Sequence, residues 1–150
     1  MRALAAFPAE QEALRANPGL MKTALPEMFR FDSPLPFFHR YAAEDIEIGG
    51  VGYAQGTRFG LLYGSANRDA AAFESADCFQ VARFPNRHLA FGGGAHFCLG
   101  NHLARLSMDI LFSKLLSATR SIQLDGDVEY KIGLSARGPV ALPILASVSI

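Results

Sequence analysis

The sequence predicts a mainly α chain with small antiparallel β sheets, and three observations carry that expectation. The stretch from Leu99 to Ala118 places Leu99, Leu103, Leu106, Ile110, Leu111 and Leu115 at helical spacing as one broad apolar stripe. The first thirty residues hold two further helical patterns, each started or stopped by a proline. Short alternating runs near Ile46 to Ala54, and a closing apolar run from Val140 to Val148, read as strands.

Taken in order, Pro8 suits the first helical position, and Glu10 and Glu12 suit the positive end of a helix. That helix must stop near Asn17-Pro18, because a residue before proline avoids the helical region. A second helix is expected from Gly19 to Phe31, with Leu20, Met21, Leu25, Met28 and Phe29 on one face, and with Pro26 either kinking it or starting a new helix. Asp32 to Pro36 turns the chain. Phe38 to Gly49 reads as extended, Gly49-Gly50 as a turn, and Val51 to Ala54 as the returning arm of a hairpin. The run Phe59 to Tyr63 fits a strand or a helix start equally, and a short helix is expected over Ala70 to Phe73. Glu74 to Leu89 has no sustained period, and an unstructured stretch of this length in a compact domain is usually functional. After the long helix come a turn at Asp125-Gly126-Asp127, alternation from Val128 to Ile132, and a turn at Arg137-Gly138-Pro139.

At 150 residues, half of them apolar and twelve of them Phe, the chain can bury a core and is expected to form one domain over 1–150. Fourteen basic residues balance fourteen acidic ones, so no basic bias points to nucleic acid or an anionic membrane surface. The early apolar run is cut by Pro8 and is too short for a membrane segment or a secretory leader. Two cysteines, Cys78 and Cys98, make no disulfide framework, which points to a reducing, cytoplasmic setting.

The chemistry concentrates in Phe91 to Gly100, FGGGAHFCLG. Three consecutive glycines leave bare backbone, tolerable where something bulky must lie against the main chain. A cysteine at the mouth of a helix is favoured as thiolate by unpaired N–H groups and the helix dipole. A lone cysteine is most often a small buried hydrophobe, but the loop and the helix shift the balance towards a ligand or a nucleophile. Three chemistries fit: an axial ligand to haem iron, a zinc site from His96, Cys98 and His102, or a nucleophile with His96 or His88 as base. A phosphate cradle is denied by spacing, since G-x-G-x-x-G from Gly92 needs a glycine where Phe97 stands. Glu27 and Arg30 read first as an exposed intrahelical ion pair, and Arg40, Arg68 and Arg83 as solvated surface.

FGGGAHFCLG resembles the haem-binding loop of cytochromes P450, F-G-x-G-x-H-x-C-x-G, matching at Phe91, Gly92, Gly94, His96, Cys98 and Gly100. Four further pieces follow the family order: Glu27-Met28-Phe29-Arg30 resembles its E-x-x-R, Ala66-Asn67-Arg68-Asp69 its A-N-R-D, Phe79 to Arg83 the end of its meander, and Arg137-Gly138-Pro139 its late turn. The resemblance covers nearly the whole chain but only the C-terminal part of the family fold, helix K to helix L and the closing strands. Helices A to I would be absent.

The resemblance implies a haem-thiolate monooxygenase with haem b (iron protoporphyrin IX), in which Cys98 is the axial metal ligand. Phe91 would lie beside the sulfur, and Gly92, Gly94 and Gly100 would admit the porphyrin. His96 and Arg40, with His88 as a further candidate, would bind the propionates. Glu27, Arg30 and Arg83 would form a structural triad. Pro36, Phe37 and Phe38, with Pro139 and Val140, would line the substrate pocket. It also implies a small apolar organic substrate and NAD(P)H acting only through a ferredoxin- or flavin-type electron donor. A truncated form without the distal, oxygen-activating half is the expectation for this chain, either inactive alone or a non-catalytic haem-binding fragment; a zinc-binding interaction module is the alternative.

Overall fold

The computed structural model describes residues 1–130, 133 and 136–148. Helices α1 (Arg2–Ala6), α2 (Pro8–Ala16) and α3 (Met21–Phe31) open the chain, with a 3-10 turn at Pro18–Leu20 before α3. Pro8 begins α2, as expected from its fixed φ, and the Asn17 side chain accepts from the Gly19 amide where α2 ends. No new helix starts at Pro26, because α3 runs through it to Phe31. The short helix α1 was not foreseen: five residues are too few for periodicity to register.

Strands β1 (Phe38–Tyr41), β2 (Ile46–Ile48), β3 (Val51–Tyr53) and β4 (Arg58–Leu61) follow. β2 and β3 form the expected hairpin, Ile46 opposite Tyr53, with Gly49 and Gly50 both at positive φ in its turn. β1 pairs antiparallel with β4, which resolves the ambiguous run at Phe59 as strand; helix α4 (Tyr63–Ala66) follows it. No helix forms over Ala70 to Phe73, where Asp69 instead caps a turn by accepting from the Ala71 amide at 2.8 Å. Residues 67–93 contain only turns and bends before a 3-10 turn at Gly94–His96.

Helix α5 (Asn101–Ala118) is the long helix of the chain. It runs into β5 (Thr119–Leu124), which pairs with β8 (Ile144–Val148), while β6 (Glu129–Tyr130) pairs with β7 (Pro139–Ala141). The expected alternation at 131–132 lies outside the described residues.

The core gathers Leu4, Leu14, Met21, Ala24, Leu25 and Phe31 from the first three helices around Phe79, Val81, Phe112, Leu116 and Ile122. Phe7, Phe31 and Phe79 form an aromatic triangle with centroids 5.3–5.6 Å apart. Gln11 is buried and serves as a polar dowel: its Nε2 donates to the carbonyls of Leu4 and Ile122, and its Oε1 accepts from the Ile122 amide at 2.9 Å. Arg15 donates to the carbonyls of Leu116 and Thr119, satisfying the C-terminal end of α5. These contacts hold α2 against α5 and β5.

The predicted apolar stripe of α5 is real as helix, but of its members Leu115 alone packs against this core. Leu99 is 98 % exposed, and Leu103, Leu106, Ile110 and Leu111 are also exposed; Phe112 and Leu116 are the side chains that point inward. Periodicity identifies a helix, not which of two adjoining stripes is covered within a given stretch of chain.

Candidate functional site

The site begins at Glu27, which is fully buried on α3. Arg30, one turn on, clasps its carboxylate with Nε and Nη2 at 2.7 and 2.8 Å, a bidentate pair. Arg83 adds a third cation, its Nε 3.1 Å from the same carboxylate. The Gln80 amide and Asn86 Nδ2 donate to it as well, both at 3.0 Å. The remaining guanidinium donors collect carbonyls from the loop: Arg30 bonds those of Asn67, Ala76 and Cys78, and Arg83 those of Glu74, Ser75 and Cys78. Backbone without regular structure must find partners somewhere; for residues 67–86 much of that need is met by two arginines held on one carboxylate. The default readings of Glu27–Arg30 as an exposed pair and of Arg83 as solvated surface are therefore corrected. Arg68 is corrected too: its guanidinium lies 3.7 Å from the centroid of the Phe31 ring and donates to the Phe31 carbonyl.

Asn86 is a residue sequence reasoning passed over, and Asn67 and Glu10, noted there only as part of A-N-R-D and of a helix start, make bonds it did not assign. Asn67 is fully buried, donating to Ser33 Oγ and accepting from the Leu89 amide, both at 2.7 Å. It thereby joins α3, the end of α4 and the entry to the glycine loop. Glu10 accepts from the Val81 amide at 2.7 Å. Asn67 alone carries a signal, its place in A-N-R-D; no sequence pattern distinguishes Asn86 or Glu10 from surface polar residues.

The braced loop delivers Phe91 to Gly100. Gly92 and Gly94 adopt φ of +71° and +63°, a region that side-chain-bearing residues rarely occupy, while Gly93 is extended. The loop closes on itself where the Cys98 amide donates to the Phe91 carbonyl at 2.9 Å. The Cys98 carbonyl accepts from Asn101 Nδ2 at 2.9 Å, seating the cysteine at the mouth of α5. Cys98 is half-buried, and Gly93 to Phe97 are exposed. A Cβ added at Gly93 or Gly94 would meet nothing within 4 Å, so bare backbone and a sulfur face open space together.

Behind the loop, Phe91 packs on Phe29 of α3 at 4.7 Å and near His88 at 5.8 Å. His88 is half-buried, and desolvation, aided by the charge of Arg105, lowers its pKa to about 4. The ring is set among aromatic side chains, with Phe29 and Phe91 on either hand. His96 is exposed on the loop, with its ring free to face a ligand. Arg40 lies on β1, donating to the neighbouring His39 carbonyl. Pro36 and Phe37 line one cavity, of about 460 Å³. Pro139 lines another, of about 330 Å³, beside Leu25, Met28 and Met108. Phe38 and Val140 are exposed, so these five residues do not converge on one pocket within this chain.

Among the described residues no three His, Cys, Asp or Glu side chains come together to hold a metal ion, so the zinc reading from His96, Cys98 and His102 is not assembled. What the loop offers instead is one soft donor flanked by bare backbone and by the exposed apolar side chains of Phe97 and Leu99. That donor set fits a flat apolar macrocycle whose metal needs one protein ligand on this side.

A profile of the cytochrome P450 family matches residues 9–129. The chain belongs to the cytochrome P450 family. It is 43 % identical over 136 residues to cytochrome P450-terp of a Pseudomonas species, covering 90 % of this chain and 32 % of that protein. It is 43 % identical over 132 residues to the biotin biosynthesis cytochrome P450 of Bacillus subtilis, covering 87 % of this chain and 33 % of that one. The P450 fold is equally plain in structure: P450BioI, solved in complex with a hexadec-9Z-enoic acid-ligated acyl carrier protein, superposes with a TM-score of 0.92 at 40 % identity, over 96 % of this chain and 38 % of that one. The chain thus spans about a third of the length of the P450 relatives it matches. Relatives named steroid C26-monooxygenase, from Rhodococcus jostii, and linalool 8-monooxygenase, from Pseudomonas putida, mark the family as one of oxidoreductases, and the cofactor it implies is haem. Among the described residues no helix is long and apolar enough to cross a membrane.

Proposed function

We propose that this chain is the proximal, haem-holding part of a P450 monooxygenase, with Cys98 Sγ as the axial ligand to the iron of haem b. The reading is supported above all by one observation: a half-exposed cysteine is fixed by its own amide to Phe91, at the end of a loop whose glycines leave the approach bare. Bound haem supplies the oxygen chemistry, and a thiolate ligand favours O–O cleavage. Cys98 Sγ loses its proton on ligation, since the thiolate is the metal-binding form. Phe91 shields the sulfur side from water, held by Phe29 behind it. Gly92 and Gly94, with Gly93 between them, would let backbone lie against the macrocycle, and His96 and Arg40 would bind its propionates.

In the whole-length protein, electrons come from NAD(P)H through a ferredoxin- or flavin-type donor, and the substrate is a small apolar organic molecule bordered on this side by Pro36, Phe37, Phe38, Pro139 and Val140. Residues 1–150 act as one unit in holding haem, in the cytoplasm. By themselves they do not turn over substrate, because one face of the macrocycle is left to segments outside this stretch.

The test is spectroscopic. The purified chain, reconstituted with haem, reduced and exposed to carbon monoxide, is expected to show the red-shifted Soret band of thiolate-ligated haem. Cys98→Ala should abolish that band while Cys78→Ala retains it. A chain that takes up no haem, or a band that survives loss of Cys98, overturns the reading.

A further inference from the structure

Arg105, on the second turn of α5, has no part in the family motif or in the triad. Its guanidinium lies 5.1 Å from the centroid of the Phe91 ring and 5.9 Å from that of Phe29. Its Nη2 stands 3.4 Å from His88 Nε2. Among the described residues it makes no salt bridge. A half-buried cation without a carboxylate is costly unless something compensates it. Two aromatic faces offset part of that cost, and His88 offers little more. A neutral imidazole has a single acceptor nitrogen, and the Ala90 amide, 3.2 Å from Nδ1, competes with Arg105 for it. His88 in turn senses Arg105 as a charge that opposes its own protonation. At His88 the charges of Arg105 and Arg30 are opposed by that of Glu27, which Arg30 already pairs.

We propose that Arg105 is a positioning residue for the thiolate loop: stacked on Phe91 and Phe29 and left without a carboxylate, it fixes the Phe91 ring and holds a positive charge behind the iron ligand, raising the haem reduction potential. This rests on the haem-thiolate reading above. The step concerned is transfer of one electron from dithionite to ferric iron, giving ferrous iron, with Arg105 unchanged in protonation. A fixed cation one side-chain layer away favours the state with one more negative charge.

The experiment poises the haem-loaded chain at a fixed potential with a redox dye and reads the ferrous-to-ferric ratio, alongside the share of the carbonyl complex that carries the thiolate band. Arg105→Gln should lower the ferrous-to-ferric ratio about tenfold, which is about 59 mV for one electron. Arg105→Lys, which keeps the charge but not the planar stack, should leave the ratio within about threefold while lowering the thiolate share. His88→Glu, which sets a carboxylate against the same guanidinium, should lower the ratio in the same direction and decides the matter if R105Q takes up no haem. R105Q reducing as readily as the unsubstituted chain, or R105K falling as far as R105Q, overturns the proposal but leaves the haem reading standing. No thiolate band in the unsubstituted chain overturns both.

Discussion

Replacing Glu27 by Gln is the sharpest perturbation the fold offers. The amide keeps the size of the carboxylate but removes its charge and turns one of its two acceptors into a donor. Arg30 Nε and Nη2, Arg83 Nε, the Gln80 amide and Asn86 Nδ2 all point at that group. After substitution at least one arginine faces N–H with N–H, and two guanidinium groups remain buried without a counter-charge. Breaking a buried ion pair by removing one partner costs about 3–5 kcal/mol. Against a typical stability of about 5–15 kcal/mol, that is a large fraction. At about 2–4 °C per kcal/mol for a chain of this size, the melting temperature should fall by roughly 6–20 °C. Thermal melts by circular dichroism read the shift, and amide exchange of residues 67–86 should rise with it. A variant melting within about 2 °C of the parent would show that the carboxylate does not organise the loop, and the argument from hydrogen bonds would fail.

Three further outcomes follow from the geometry. Gln11→Met should cost about 1–3 kcal/mol for each backbone group of Leu4 and Ile122 left unpaired, read as a drop in the urea midpoint at constant slope. His88 has its pKa lowered from 6.5 to about 4. The unfolded chain takes up that proton first, so stability present above pH 6.5 should be lost as pH falls towards about 4 and then level off; His88→Gln should flatten this window in urea titrations across pH. Gly94→Ala, at φ +63°, should destabilise the haem-free chain by about 1–2 kcal/mol. Gly93→Ala, in extended backbone with open space around it, should leave haem-free stability unchanged yet weaken haem uptake in a spectral titration.

Much of this was legible in the sequence because the signals were local. The hairpin at Gly49-Gly50, the start of α2 at Pro8 and the turn into α5 are each set by a few adjacent residues. The glycine–cysteine loop was readable for the same reason, its glycines and cysteine lying within ten residues. Burial was not local. Most of the more conspicuous stripe of α5 is exposed and Phe112 and Leu116 are buried, because α3 and β5 pack against only one side of that helix. The triad was visible only through family resemblance: nothing near Arg83 in sequence announces a carboxylate 56 positions earlier. Asn86 escaped even that, since a buried asparagine side chain differs from a surface one only by what surrounds it. The short helix expected at Ala70 to Phe73 failed to the stronger local pull of the Asp69 side chain on the Ala71 amide.

Gln11 has a consequence for the order in which this chain folds. Its bonds to Ile122 span 111 residues, and Arg15 reaches the Leu116 and Thr119 carbonyls across comparable distances. Helices α1 and α2 are each far shorter than the roughly 12–15 residues an isolated helix needs to persist in water. The bonds that Gln11 and Arg15 make to this region form only once β5 has been made. The core is therefore closed by a late, non-local event, the kind that makes folding slow and leaves the nascent chain exposed to misassociation in the interval.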